Sequence, residues 1–247
     1  MIVPAWVWPV LVAPLIGSFL SVVVKRLPEG RSFVFGRSSC DVCDHALGAA
    51  DLVPLLSFCA SRGRCRYCGA GLDRLDPAIE IAATFIAIWA VSLADGWSAW
   101  ATCALGWTLL GLAIIDARDG LLPDALTLPL IVLGFVVTGI SDPSQLIDSA
   151  IGAAAGYFLV VALRWLYRRW RKREGMGLGD AKLLAAAGSW VGWLGLPSVV
   201  LIASLLGIAG AFIVAWRGRA LTADLSIAFG PALCAALWLV WLYGTVD

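Results

Sequence analysis

The sequence is poor in charged residues and contains a single histidine, and each shortage excludes classes of protein. Asp, Glu, Lys and Arg make up 14% of the 247 residues, whereas 61% are hydrophobic. With a mean hydropathy of +0.89, the chain is too apolar for a soluble globule. We therefore predict an all-α polytopic membrane protein. The net charge of +1 indicates no particular class of partner.

Because His45 is the single histidine of the chain, several kinds of active site are excluded. The chain has no HExxH motif, no GxxxxGK[ST] phosphate loop and no strand-turn-helix context for a dinucleotide site. A Ser–His pair could form within the membrane only if His45 left the loop that carries it. Carboxylate side chains are therefore the remaining candidates for catalysis.

Eight apolar runs are predicted to cross the membrane, each near the roughly 20 residues that a spanning helix needs. They cover residues 5–24, 78–94, 99–116, 125–140, 146–166, 181–195, 197–216 and 228–244. No Lys or Arg precedes the first run, which is therefore predicted to be a retained helix and not a cleaved signal peptide. We divide the chain into a first transmembrane helix (1–24), a soluble loop (25–77) and a membrane core (78–247).

The basic residues predict the orientation. If the loop after the first run is cytosolic, all 18 Lys and Arg fall in or beside cytosolic loops. This positive-inside pattern predicts both termini outside and places Asp116 and Asp180 at the cytosolic face. The basic-aromatic run 164–173 is interpreted as a stop-transfer anchor that could also attract anionic lipid headgroups. Nucleic-acid binding is not expected.

The loop at residues 25–77 carries two CxxC pairs, with 21 residues between them. Four thiolates at this spacing predict a closed, structural zinc site in a zinc-ribbon-like loop. The alternative is two disulfides, which a reducing cytosol disfavours. The predicted ligands are Cys40, Cys43, Cys65 and Cys68. The remaining cysteines are predicted to be small buried residues: Cys59, Cys103 and Cys234.

Two aspartates lie at the ends of apolar runs. Asp116 ends the third run, and Asp180 begins the sixth after the turn that contains Gly177 and Gly179. An acid at a membrane edge is costly, which suggests a function, and two such acids suggest a carboxylate dyad. The two glycines would allow close approach of backbone to a substrate or a facing helix. Solvated helix caps, or a proton relay in a transporter, are the alternatives.

Four segments resemble, in order, the motifs of type IV prepilin peptidases, which are membrane aspartyl proteases of the GxGD class. They are Gly17–Pro28, Ile115–Asp124, Gly175–Asp180 with Lys182-Leu183-Leu184, and Phe229-Gly230-Pro231. The paired CxxC loop agrees with the same family. By resemblance, Asp116 and Asp180 are the catalytic aspartates and the four CxxC cysteines hold zinc.

The resemblance implies an enzyme of the bacterial inner membrane. It would remove the basic leader from type IV prepilins or type II secretion pseudopilins at the cytosolic face. It would then N-methylate the new amino terminus with S-adenosylmethionine, and the cysteine loop favours this bifunctional type. Glu80 is a candidate for the methyltransferase half, with an interfacial acid as the alternative.

The sequence departs from the family where Asp and His are usual and Arg118 and Asp119 stand. A cation two residues from Asp116 is expected to favour the ionised carboxylate. A proton-coupled transporter and a non-catalytic pilin assembly factor are the rival functions. The sequence does not indicate the oligomeric state.

Overall fold

The computed structural model describes residues 4–32, 40, 42–46, 48, 55–171, 177–216 and 228–245. These residues form helices and no strand, apart from an isolated antiparallel bridge between Arg64 and Gly71, and the predicted all-α fold is confirmed. The helices are α1 (Val7–Arg26), α2 (Leu56–Ala60), α3 (Leu75–Leu93), α4 (Gly96–Asp119), α5 (Asp124–Ser141), α6 (Leu146–Arg171), α7 (Leu178–Trp216) and α8 (Gly230–Tyr243).

Within the described part of the chain, six helices are long and apolar enough to cross a membrane. They are α1, α3, α4, α5, α6 and α7, whereas α8 is apolar but has only 14 residues. Each predicted run overlaps one of these seven helices. The sixth and seventh runs, 181–195 and 197–216, both fall within α7.

Helix α7 is a hairpin of two helices that meet at Gly192. This glycine has φ 68° and ψ −179°, a backbone conformation that is almost confined to glycine. The Trp190 ring lies 5.0 Å from the Trp241 ring, near the end of α8. After the break, Gly207 packs beside Phe229 at the beginning of α8. The chain therefore runs back along α8 from its end towards its beginning. The two predicted runs are therefore two antiparallel helices.

The two halves of this hairpin differ in length. At 1.5 Å per residue, residues 178–191 are about 21 Å long and residues 193–216 about 36 Å. The hydrocarbon core of a bilayer is about 30 Å thick, so the second half is long enough to span it, whereas the first half is about 9 Å shorter than the core.

The contacts divide the chain into two compact units, residues 1–111 and 112–247, with the boundary inside α4. The sequence-based division at residues 24 and 77 concerns chain segments and stays a prediction.

The first unit is built on close packing of α1 against α3. A Cβ atom at Gly17 would lie 2.6 Å from the Glu80 Cα, so only glycine allows this approach. At the end of α1, Lys25 Nζ lies 2.7 Å from a carboxylate oxygen of Asp76 in the first turn of α3. The ion pair brings together the two ends of the cysteine loop.

The second unit packs α5 and α6 against the first half of α7. Gly152 of α6 and Gly188 of α7 meet backbone to backbone, with no room for a Cβ on either. The Trp190 indole donates a hydrogen bond to the Leu130 carbonyl of α5 at 2.9 Å. Small residues at such contacts allow membrane helices to pack closely.

Candidate active site and metal centre

Asp116 is a buried carboxylate near the end of α4, with 7% of its surface exposed. Its Oδ2 accepts a hydrogen bond from the Gly230 N–H at 2.9 Å. Gly230 is the first residue of α8, and the free N–H groups and dipole of a helix N-terminus stabilise negative charge. A Cβ at residue 230 would lie 2.5 Å from Oδ2, so a side chain there would displace the carboxylate.

Asp180 is the third residue of α7. Its Oδ2 accepts a hydrogen bond from the Gly177 N–H at 3.2 Å, which is the backward contact of a helix capping box. Asp180 therefore satisfies the backbone where α7 begins. Both aspartates lie at helix termini, as the sequence predicts.

Two contacts attach the loop after Asp116 to the helix turn that carries Asp180. A Cβ at Gly179 would lie only 2.7 Å from the Leu122 Cβ, so the missing side chain lets the loop lie against α7. Lys182 Nζ forms an ion pair with Asp124, the first residue of α5. Together these contacts fix the two aspartate-bearing segments against each other.

The contacts of Leu122 with Gly179 and of Asp124 with Lys182 bring the two carboxylates into one region of the second unit, within range of each other's charge. Cys234 also lies within electrostatic range of both and is 3% exposed. It is one helical turn after Gly230 on α8, so it lies on the same side of that helix. In the described residues the site therefore contains two acids with a buried thiol nearby.

The sequence interpretation assigned no role to Gly230, Leu122 or Cys234 in this site. A signal for Gly230 was present, because proline in a first helical turn, here Pro231, marks a helix start, and helix starts bind anions. The contacts of Leu122 and Cys234 join segments distant in sequence, and no local pattern reports them.

The expected effect of Arg118 on the ionisation of Asp116 stays a prediction, and the geometry of α4 argues against a direct contact. Residues two apart on a helix do not face each other. Arg118 and Asp119 are exposed, whereas Asp116 is buried.

In the first unit, the ligand atoms of Cys40, Cys43, Cys65 and Cys68 all lie within 4.8 Å of one another. Four sulfur atoms at this separation could hold one metal ion, and an all-thiolate tetrahedral set is the donor chemistry that zinc favours. Cys40 and Cys65 are buried, and Cys43 and Cys68 are exposed.

The two CxxC pairs adopt the same turn. The Cys40 N–H donates to the His45 carbonyl, and the Asp44 N–H donates to the Cys40 carbonyl. The second pair repeats this pattern, with the Cys65 N–H bound to Ala70 and the Gly69 N–H to Cys65. Asp44 and Gly69, at equivalent positions, both have positive φ angles. The repetition indicates two matched knuckles that direct their sulfur atoms towards one point.

The thiols differ in acidity. Backbone hydrogen bonds from Val42 and Cys43 lower the pKa of the Cys40 thiol to about 7. At Cys68 a backbone hydrogen bond involving Ala70 acts in the same direction, but desolvation and the neighbouring thiols raise the pKa to about 11. A bound cation would keep all four deprotonated and would release protons on binding.

The other candidates in this unit take up structural positions. His45 stacks on Tyr67, with ring centroids 3.7 Å apart, and is not among the four clustered ligands. Cys59 is exposed on the five-residue helix α2, so its predicted burial is wrong; so short a helix offers little to bury it. Cys103 of this unit is buried as predicted, and so is Cys234 of the second unit.

Glu80 is a buried acid of α3, 6% exposed. Its Oε2 accepts a hydrogen bond at 2.7 Å from the N–H of Leu55, a residue with φ 57°. The carboxylate therefore anchors the cysteine loop to a membrane helix.

In the described residues, six membrane-capable helices, two carboxylates of which Asp116 is buried, and a tetracysteine cluster define a class. It is that of multi-pass membrane proteins that combine an acidic site with a metal-binding loop. Sequence comparison identifies the family. Residues 103–212 match the type IV leader peptidase family, and residues 11–93 match the bacterial peptidase A24 N-terminal domain.

Relatives match over nearly the full chain. A prepilin leader peptidase/N-methyltransferase of Aeromonas hydrophila is 38% identical over 256 residues, which covers 93% of this chain and 88% of the relative. The enzymes of the same name from Burkholderia pseudomallei (strain 1026b) and Pseudomonas aeruginosa are 38% and 35% identical and are covered over 82% and 89% of their lengths. The chain belongs to the type IV leader peptidase family. No solved structure matches it.

Proposed function

We propose that this protein is a prepilin leader peptidase and N-methyltransferase with Asp116 and Asp180 as its catalytic dyad. The observation that carries the proposal is that these two acids, 64 positions apart in sequence, lie within range of each other's charge, in a chain whose relatives bear that name. The substrates would be the amino-terminal segments of type IV prepilins or type II secretion pseudopilins.

The chemistry follows from two neighbouring carboxylates. Such a pair resists double ionisation and tends to share one proton. One carboxylate would accept a proton from a water that attacks the scissile peptide carbonyl, and the other would donate a proton to the carbonyl oxygen or leaving amine. The titration belongs to the pair and not to either residue.

Backbone N–H groups, and not large side chains, would hold the two carboxylates in position. The Gly230 N–H orients Asp116, and the Gly177 N–H orients Asp180. The contact of Gly179 with Leu122 holds the two segments in place.

The cysteine cluster would hold one structural zinc ion through Cys40, Cys43, Cys65 and Cys68. The ion would stabilise a loop too small to build a sufficient apolar core. S-adenosylmethionine is the donor that the resemblance implies, and it would supply the methyl group to the newly exposed amine. The cysteine loop is the segment that we associate with this second activity.

The distribution of Lys and Arg supports a bacterial inner-membrane orientation in which both termini are outside and the dyad faces the cytosol. A prepilin has a basic leader followed by an apolar helix. In this orientation its scissile bond would lie at the depth of the dyad.

Cleavage of a purified type IV prepilin by the detergent-solubilised protein tests the proposal, with mass spectrometry of the product terminus. The parent should cleave, and Asp116→Asn and Asp180→Asn should not. A mass gain that requires S-adenosylmethionine should accompany cleavage by the parent. Retained cleavage by either variant contradicts the dyad, and binding without cleavage by the parent favours the assembly-factor alternative.

A further inference from the structure

Glu80 is a buried acid for which the proposed peptidase mechanism has no use. It lies in the second turn of α3, in the first unit, and is 6% exposed. A buried carboxylate is costly unless its oxygens accept hydrogen bonds. The groups that donate those hydrogen bonds therefore show what Glu80 holds in place.

The carboxylate of Glu80 connects three segments of the first unit. Its Oε2 accepts a hydrogen bond from the Leu55 N–H at 2.7 Å, and the Ser18 side chain of α1 is a second hydrogen-bond partner. Beside this contact, Gly17 of α1 packs on the Glu80 Cα with no room for a Cβ. One buried side chain thus joins the cysteine loop to α1 and α3, the helices before and after it.

Leu55 has a strained backbone that requires such a partner. Its φ of 57° and ψ of −45° lie near the γ-turn with positive φ, a conformation that residues other than glycine rarely adopt. Strained backbone of this kind persists only where the surrounding structure holds it. The hydrogen bond to Glu80 is a contact of that kind, because it fixes the N–H of the strained residue itself. Glu80 therefore stabilises the turn at which α2 begins.

Backbone hydrogen bonds connect the turn at Leu55 to the cysteine cluster. The Cys59 N–H donates to the Leu55 carbonyl within α2. The Gly63 N–H then donates to the Phe58 carbonyl, and the Leu72 N–H donates to the Gly63 carbonyl. The last of these bonds closes the segment that carries the second CxxC knuckle. A displacement of Leu55 would therefore move that knuckle as well.

A second contact holds the other side of the cluster. Lys25 Nζ, at the end of α1, lies 2.7 Å from a carboxylate oxygen of Asp76 and 3.6 Å from one of Asp73. Both acids follow the second knuckle in the chain and precede Glu80. The cluster therefore lies between two attachments to α1 and α3. Loss of the Glu80 attachment would leave the loop held at its ends alone.

We propose that Glu80 is a positioning residue for methyl transfer, because it holds the cysteine loop in its working position on α1 and α3. The inference rests on the proposed function, in which the cysteine loop belongs to the second activity. The match to the leader peptidase family covers residues 103–212, which include both aspartates but neither Glu80 nor the four clustered cysteines. Loss of the Glu80 contact should therefore impair methylation and spare cleavage.

The test compares substitutions on one helix. Glu80→Ala removes the acceptor of the Leu55 N–H, and Glu80→Gln keeps an acceptor oxygen. Thr84→Ala is the control, because its hydroxyl donates to the Glu80 carbonyl within α3 and not to the loop. The substrate is a type IV pilin that the parent has cleaved in advance without S-adenosylmethionine.

Glu80→Ala should lower kcat for methylation at least about tenfold, because a small displacement of reacting groups is costly in rate. Glu80→Gln and Thr84→Ala should stay within about threefold of the parent. Prepilin cleavage and zinc content of Glu80→Ala should remain within about twofold of the parent. Methylation by Glu80→Ala at the parent rate overturns the proposal. An equal loss of cleavage, or a loss of zinc, also overturns it, because Glu80 would then support the fold in general.

Amide hydrogen exchange gives a second measurement that depends neither on activity nor on the folding of Glu80→Ala. In the parent, the Leu55 amide should exchange at least about 100-fold more slowly than in an unstructured chain, because its acceptor is buried. Glu80→Ala should lose this protection, and Thr84→Ala should keep it. Rapid exchange of the Leu55 amide in the parent overturns the proposal. Failure of the parent to methylate any cleaved pilin would instead contradict the proposed function, whereas methylation that does not depend on Glu80 contradicts this inference alone.

Discussion

Substitution of Gly230 by alanine tests whether the backbone at the start of α8 positions the catalytic carboxylate. The added Cβ would lie 2.5 Å from the Asp116 Oδ2 and 2.8 Å from its Cγ, and ordinary contacts begin at 3.4 Å. The carboxylate or the first turn of α8 must therefore move by about 0.9 Å, the difference between 3.4 and 2.5 Å. The hydrogen bond from the Gly230 N–H would be strained or lost.

A displacement of this size should affect the chemical step strongly. A 1 Å misplacement of a reacting group can cost about 100-fold in rate, which corresponds to about 2.7 kcal/mol of barrier. We expect Gly230→Ala to lower kcat for prepilin cleavage by about that factor. KM should change little, because the substitution displaces a reacting group and removes no side chain.

The control is an equally crowded glycine away from the carboxylates. A Cβ at Gly134 would lie 2.3 Å from the Ser189 Oγ, at the contact of α5 with α7. Overpacking at either site should destabilise the protein by about 1–3 kcal/mol, which thermal unfolding in detergent would measure. Only Gly230→Ala should lose kcat.

Two results would refute this reasoning. A folded Gly230→Ala enzyme with kcat within about threefold of the parent, or about 0.65 kcal/mol, would show that the Gly230 contact does not position Asp116 for catalysis. An equal loss of kcat in Gly134→Ala would show that general strain, and not the carboxylate geometry, controls the rate.

Three further predictions concern the glycine motif, the hairpin and the metal cluster. Gly179→Ala should lower kcat at least about tenfold, because the new Cβ would collide with Leu122. Gly177→Ala, whose new Cβ would have no contact closer than 3.5 Å, should keep kcat within about twofold of the parent. Steady-state cleavage measures both values. Gly192→Ala should lower the free energy of unfolding by about 1–3 kcal/mol, as measured by denaturation in detergent, because alanine disfavours φ 68°. Cys40→Ser should abolish bound zinc in elemental analysis, and Cys59→Ser should retain about one ion per chain.

Each of these predictions has a result that contradicts it. Equal activity of Gly177→Ala and Gly179→Ala would remove the role of the Leu122 contact. Unchanged stability of Gly192→Ala, relative to Gly210→Ala with no atom within 4 Å of its new Cβ, would contradict the strained turn. Zinc retained by Cys40→Ser, or lost equally from Cys59→Ser, would contradict the four-cysteine site.

The amino-acid sequence by itself determined the all-helical membrane fold, because apolar runs of spanning length allow few other structures in a bilayer. It also located the two aspartates and the two CxxC pairs, since an acid at a membrane edge and a CxxC knuckle are local patterns. The orientation inferred from Lys and Arg is likewise a sequence result and stays a prediction.

Only the tertiary structure decided how these parts are used. It joined the sixth and seventh runs at Gly192, placed the Gly230 N–H on Asp116 and put Leu122 against Gly179. It also separated the exposed Arg118 from the buried Asp116. These features depend on close approaches between segments far apart in the chain, where the absence of one Cβ decides the contact. Local propensity and spacing do not determine distances between such segments. The geometry of the site is therefore set by the tertiary structure.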